Sequence, residues 1–397
     1  MVYSPQYFAR GQRREIDFHQ GFTMFVVDCD SHVMEPADLW QRYLEARYQD
    51  RAIRIEDDEN GERLIIAEQV VLPGGLAGLG GANLRRRDIF GGRFRYADGC
   101  PPASYDANAR LKMLDEWRVD ACVTFPTIGI LPIPTDDLDL INAYFRAYNT
   151  WQHEFSQGGR GRIVPIAVVN WRDVENAALE LNRCLKLGFK GIFVPPEVVD
   201  GERPGSSYFD LLWAQLAEAN LPGCLHVIVR FSGAAVPFSG WHGAQPRLGP
   251  TFGFGLGAPG QMIPALSSII LDGLFDRFPD LKVVSVEAGC GWAAYLMDRL
   301  NEKDELLNEL SPRPLTLTPG EYIQRNCYFV AEPQERTIGA MMELVGHDKI
   351  LWGSDYPHID SSLHASHQIR ESVACLDRQQ QHAIMGDNAA QLFQLDV

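Results

Sequence analysis

The segment VVDCDSH places three chemically able groups, Asp28, Asp30 and His32, at alternate positions. Extended backbone projects alternate residues to one side, so the three face one way. A carboxylate and an imidazole where a strand gives way to a loop suit a divalent cation. Asp28 is then placed to orient a ligand from behind. The alternative for this motif is a capping or turn Asp beside a surface His. His226 interrupts the apolar run PGCLHVIV. A ligand is one reading there, and a buried imidazole bonded to backbone is the other. In ILWGSDYPHID an apolar run ends in glycine, and Asp355 and His358 follow on the next loop. Asp355 reads either as a ligand or as a cap.

Short apolar runs alternate with amphipathic stretches. The runs at 25–29, 121–125, 163–169, 191–194, 223–227, 281–286, 327–330 and 350–353 read as eight strands. Helical periodicity fills 106–118, 138–155, 174–187, 208–219, 262–278, 292–310 and 335–345. Eight strands in alternation with helices predict an α/β fold, a closed (β/α)8 TIM barrel, with a doubly wound sheet as the runner-up. No GxGxxG follows the first strand. Two stretches break the rhythm and read as long loop insertions after strands 1 and 5, at about 44–105 and 231–261. The whole of 1–397 reads as one barrel domain. The metal-type residues then sit at the C-terminal ends of strands one, five and eight, which converge on one mouth.

The motifs carry a resemblance. VDCDSHVMEPADLW, LDGLFDRFPDLKVVSVEAGCGWAAYLMDRL and ILWGSDYPH resemble the amidohydrolase superfamily, in its branch typified by aminocarboxymuconate-semialdehyde decarboxylase. The resemblance spans roughly 25–390. It implies one divalent metal, zinc favoured and manganese or iron possible, with Asp30, His32, His226 and Asp355 as ligands. It also implies a homodimer. The first motif departs from the branch's His-x-His or Glu-x-His, because Asp30 stands first. After strand six, the branch's decarboxylases carry a proton-transfer His where this chain has Glu287. Glu287 reads as an acid/base group if burial raises its pKa, or as a structural carboxylate bonding the Gly-Cys-Gly turn. His242 and His358 are the other proton-transfer candidates. Arg110 is a candidate clamp for a substrate carboxylate, with a solvated helix face as the alternative. Trp241, Phe252 and Phe254 could wall an aromatic pocket, with packing of a long loop as the alternative. Arg85-Arg86-Arg87 reads as a solvated loop or an anion trap.

These residues predict a metal-dependent enzyme, by resemblance a non-oxidative decarboxylase of a small aromatic or unsaturated carboxylic acid. Hydrolysis of a C–N, C–O or C–C bond is the rival, and a non-catalytic metal- or ligand-binding barrel is the third reading. The chain carries 36 basic and 52 acidic residues, a net charge of −16, which argues against nucleic acid and anionic membranes as partners. A small carboxylate needs only a local positive site. Eight scattered cysteines without a CxxC predict reduced thiols and a cytoplasmic protein. No run of about 18 apolar residues predicts a transmembrane helix, and the polar N-terminus lacks a signal-peptide core.

Overall fold

The computed structural model describes residues 24–59, 61–89, 94–229, 249–311 and 314–396. The strands, in chain order, are β1 Val27–His32, β2 Arg54–Asp58, β3 Gly61–Ile66, β4 Gln69–Leu72, β5 Ala121–Phe125 and β6 Ile163–Pro165. They continue with β7 Ile192–Val194, β8 Gly223–His226, β9 Val283–Val286, β10 Cys327–Ala331 and β11 Ile350–Trp352. Parallel pairing gives the orders β1-β5-β6 and β7-β8-β9-β10-β11. Parallel bridges Ala167–Ile192 and Ser31–Tyr356 join the two runs at both ends. The eight predicted barrel strands therefore form a ring. The last join is tight: Asp355 N donates to Asp30 O at 2.7 Å and His32 N to Tyr356 O at 2.7 Å.

The barrel strands are buried along their whole length, as β1 and β5 show, because helices cover the outside. Helix Ala107–Trp117 begins on Asp106, whose side chain accepts from Ala109 N. Helix Leu138–Gly158 buries Leu140, Tyr144, Tyr148, Trp151 and Phe155 on one face.

Both insertions differ from the expected loops. The first holds an antiparallel sheet, β2-β3-β4, in which Asp58 pairs with Gly61 across a two-residue connection. The charged run EDDENGER hid this strand pairing in the sequence. Of the second, 231–248 lie outside the described residues, and 249–261 belong to helix Gly249–Leu271, which starts well before the expected residue 262. Pro259 and Pro264 lie inside it. Each removes one backbone donor, and burial of Met262, Ala265, Leu266, Ile269 and Ile270 offsets the loss. By length and composition, Thr251–Leu271 is apolar enough to cross a membrane, contrary to the expectation of no such segment, with 33% of the relevant window buried. It holds no Asp, Glu, Lys or Arg, and its glycines and serines hid its apolar character.

Candidate metal centre

Asp30 and His32 end β1, His226 ends β8, and Asp355 lies just beyond β11. The ring brings all four together. His32 Nε2 lies 3.3 Å from Asp30 Oδ1 and 3.6 Å from Asp355 Oδ1. His226 Nε2 lies 3.2 Å from His32 Nε2 and 3.6 Å from Asp30 Oδ1. Hydrogen bonding fixes both tautomers. His32 Nδ1 is 2.8 Å from Pro126 O, and His226 Nδ1 is 2.9 Å from Val227 O. A carbonyl only accepts, so each Nδ1 carries the proton and each Nε2 turns a lone pair inward. Asp30 Oδ1 and Asp355 Oδ1 are buried without a hydrogen-bond partner. Four acceptor atoms thus converge with no donor among them. Buried polar atoms are rarely left so, and a divalent cation satisfies this donor set.

The surroundings hold the ligands in place. Asp28 accepts from Ser354 N at 2.8 Å and Ser354 Oγ at 2.5 Å, tying β1 to the turn that carries Asp355. Its role is to staple backbone rather than to touch a ligand imidazole. Burial pushes Asp28 up to about 7 against these bonds. A Cβ on Gly353 would stand 2.2 Å from Asp30 Cβ, so glycine lets the two strands approach at the ligand. Glu35, fully buried, accepts from Thr127 N, Ile128 N and Gly129 N. It anchors the loop whose Pro126 carbonyl orients His32. Thr127 Oγ1 donates to Val33 O at 2.7 Å, so the 2.9 Å contact with His358 Nε2 runs from the imidazole to the hydroxyl. His358 Nδ1 is then left facing Asp355 Oδ1 at 2.7 Å, with its ring on His32 at 3.9 Å.

The expectation for Arg110 is corrected. Its side chain is fully buried, and its guanidinium donates to Ala103 O, Ser31 Oγ and His32 O. Those bonds brace the back of β1 and leave no fork for a substrate carboxylate. The solvated-face alternative falls for the same reason. The middle arginine of the 85–87 run, Arg86, donates to Ser361 O at 2.7 Å. His242 and Trp241 lie outside the described residues.

Comparison with known proteins decides the family. Residues 27–395 match the model of the family described as Amidohydrolase. The chain belongs to the amidohydrolase family. A 2-amino-3-carboxymuconate-6-semialdehyde decarboxylase of Dictyostelium discoideum is 25% identical over 302 residues, covering 74% of this chain and 77% of the relative. An amidohydrolase of Mycobacterium avium subsp. paratuberculosis K-10 superposes with a TM-score of 0.74 at 24% identity, covering 94% of this chain and 100% of the other. A 5-carboxyvanillate decarboxylase of Novosphingobium aromaticivorans DSM 12444, complexed with manganese and 4-hydroxy-3-methoxy-5-nitrobenzoic acid, gives 0.67 at 20% identity, covering 94% and 96%.

In this amidohydrolase one of the four, Asp355, lines a cleft of about 710 Å3. Phe252 and Phe254 of helix Gly249–Leu271 line it, as the aromatic-wall reading expects. Glu287, Glu332, Asp355 and Asp360 line it too. Glu287 sits just past β9 at φ 61°, and Asp355 at φ 55°, a left-handed backbone that side chains rarely adopt. Glu287 Oε2 is enclosed without a hydrogen-bond partner, 3.5 Å from His226 Nδ1. The Gly-Cys-Gly turn after it is bonded instead by Glu335, which accepts from Cys290 N and Gly291 N. Burial drives the Glu287 carboxyl well above its ordinary range, and the charges of Asp30, Asp360 and Glu332 add to this. Asp355 is raised by burial first, then by Glu287, Asp360 and Asp30. A bound cation would reverse that field. Sequence reading singled out neither Asp360 nor Thr127 nor Glu35. Asp360 follows His358 by two residues within ILWGSDYPHID, and Glu35 lies within the first family motif, so position in those motifs was the available signal.

Proposed function

We propose that this amidohydrolase is a metal-dependent carboxy-lyase that removes CO2 from a small aromatic or unsaturated carboxylic acid without net oxidation. The observation that carries the reading is the convergence of Asp30 Oδ1, Asp355 Oδ1 and the Nε2 atoms of His32 and His226 with no donor among them. These four residues would hold a divalent cation, which when bound supplies Lewis-acid polarisation of substrate oxygens. Manganese in the related 5-carboxyvanillate decarboxylase supports a divalent ion, and the mixed nitrogen and oxygen donors suit zinc equally.

The chain's own residues do the rest. Phe252 and Phe254 present apolar faces to the body of an aromatic acid. Glu287 stands at the cleft wall, where burial favours the protonated form of its carboxyl. When the bond from carbon to carboxylate breaks, its electron pair stays on carbon. Glu287 gives its proton there, a C–H bond forms, and the Glu287 carboxylate regains a proton from solvent through the cleft. His358, held by Thr127 and packed on His32, turns a further acceptor, Nδ1, toward Asp355 Oδ1 and could carry a proton there. A cytoplasmic homodimer belongs to the same proposal. The eight free cysteines support the compartment, and the family resemblance supports the dimer.

Hydrolysis competes on one observation. Asp355 lines the cleft and its Oδ1 has no donor, so it could take a proton from an attacking water. Incubation with a panel of carboxylated phenols, following released CO2, separates the two. Release from at least one member is expected. Conversion of any panel member with all carboxylate carbon retained sinks the lyase reading in favour of hydrolysis.

A further inference from the structure

The turn that carries Glu287 is held from behind by another carboxylate. Glu335 lies on the loop after β10 and is not among the described residues that line the cleft. Its Oε1 accepts from Gly291 N and from Thr337 Oγ1, both at 2.7 Å. Its Oε2 accepts from Cys290 N at 3.0 Å and from Glu332 N at 3.2 Å. The carboxylate therefore ties the turn after β9 to the loop after β10. Each of these loops puts one acid on the cleft wall, Glu287 from the first and Glu332 from the second. Successive backbone N–H groups in a turn make a concavity for an oxyanion. Glycine leaves room for it here: a Cβ on Gly289 would stand 3.0 Å from Glu335 Oε2, and one on Gly291 3.1 Å from Oε1. Helix Trp292–Leu307 starts directly after this turn without a side-chain cap of its own, and the Glu335 carboxylate sits at that positive end. The turn is closed from within as well, since Trp292 Nε1 donates to Ala288 O at 3.1 Å and to Gly289 O at 3.0 Å. Glu287 itself, at φ 61°, holds a backbone conformation that persists only where the surroundings enforce it. Its Oε2 accepts no hydrogen bond that could do so.

We infer that Glu335 is a positioning residue: by clamping the 289–291 turn to the loop after β10, it fixes Glu287 at the cleft wall for proton delivery. This rests on the acid role proposed above for Glu287 and deepens it. An oxygen that no hydrogen bond aims is aimed through its backbone. Two of the four bonds to Glu335 set that backbone, and the other two hold Glu335 in place. An acid displaced by about 1 Å from the carbon that takes its proton loses about 10²-fold in rate. Loss of the clamp should lower kcat and spare both KM and the ion, because Phe252, Phe254 and the four ligands sit on other elements.

The test uses metal-loaded full-length protein and compares Glu335→Gln, Thr337→Val, Glu287→Gln and the Glu335→Gln/Glu287→Gln pair by CO2 release and metal content, with a crystal structure of Glu335→Gln. That variant should lose about 10²-fold in kcat at unchanged KM and metal content, and Glu287 should leave its left-handed conformation. In the Glu287→Gln background the same change should cost less than about threefold, because the acid it aims is gone. A Glu335→Gln protein that melts lower yet keeps wild-type kcat marks a helix cap alone and overturns the inference. Full additivity in the pair, or Glu287 unmoved in the crystal, overturns it too. Should Glu335→Gln fail to fold, Thr337→Val decides, since it removes one bond to Glu335 from an exposed position. It should lower kcat by about threefold or more, and unchanged kcat sinks the clamp. Wild-type protein that releases no CO2 from any carboxylated phenol overturns the acid role instead, and the crystal then decides whether Glu335 places Glu287.

Discussion

Glu287 is the residue at which sequence and structure speak most directly to mechanism. Its type was a departure from the family pattern, and only the fold shows that it faces the cleft with a buried, donorless oxygen. Glu287→Gln should keep the metal ion and lower the decarboxylation rate by about 10²–10⁴, measured as CO2 release alongside metal content. Because the working form is the protonated one and its pKa is raised, wild-type kcat/KM should fall as pH climbs through that pKa. The variant should lack this limb. Gly353 makes a second test. A Cβ there would press on Asp30 at 2.2 Å. Gly353→Ala should weaken ion binding by about 10–100-fold, read by competition with a chelating dye. His32, His226 and Asp355 were legible from type and strand position. The true duty of Arg110 was not, because helical spacing cannot show that a cation points inward to carbonyls.

At the scale of elements, the two insertions carry most of what periodicity could not foresee. The alternating apolar pattern located the eight barrel strands, since each needs only a short buried run. It missed β2-β3-β4, whose outer faces are charged, and it started helix Gly249–Leu271 late because Gly and Pro depress local helix propensity. Tertiary contacts hold that helix. Gln261 accepts from Ile228 N and donates to Ile228 O, both at 3.0 Å, giving the chain just past His226 the pairing that a neighbouring strand would. Gln261→Ala should cost about 2 kcal/mol in denaturant melts and speed hydrogen exchange at the Ile228 amide. The loop after β5 depends on Glu35 in a pH-sensitive way. Burial raises this carboxyl from 4.5 to about 7 despite backbone bonds from Ile128, Gly129 and Thr127. The folded state therefore holds a proton that the unfolded chain releases above about 4.5. Its contribution is complete below that pH and is lost as pH rises through about 7. Glu35→Gln should flatten stability against pH across this window, where the wild-type slope amounts to as much as about 3 kcal/mol.

For the whole molecule, the ligand cluster is a set of unmet acceptors enclosed by the ring of strands. Removing the cation should therefore show in global stability. Dialysis against a chelator should lower the melting temperature, and readdition at about a hundredfold excess over Kd should restore about 2.7 kcal/mol. A melting curve indifferent to chelator would count against the centre. The barrel class was visible in the order of elements alone. Its closure was not, because it depends on the bridges Ser31–Tyr356 and Ala167–Ile192 between residues far apart in sequence.

The seam between β1 and β11 also sets a timetable. Asp30 and Asp355 are joined through main-chain bonds between residues far apart in the sequence. A growing polypeptide displays Asp30 and His32 first, then His226, and the fourth ligand, Asp355, last of the four. Ribosome-bound chains stalled before Asp355 would lack the turn that brings the last carboxylate to the mouth. Ion capture at full affinity therefore waits until Asp355 has been added, and loading serves as a checkpoint on whether the ring has shut.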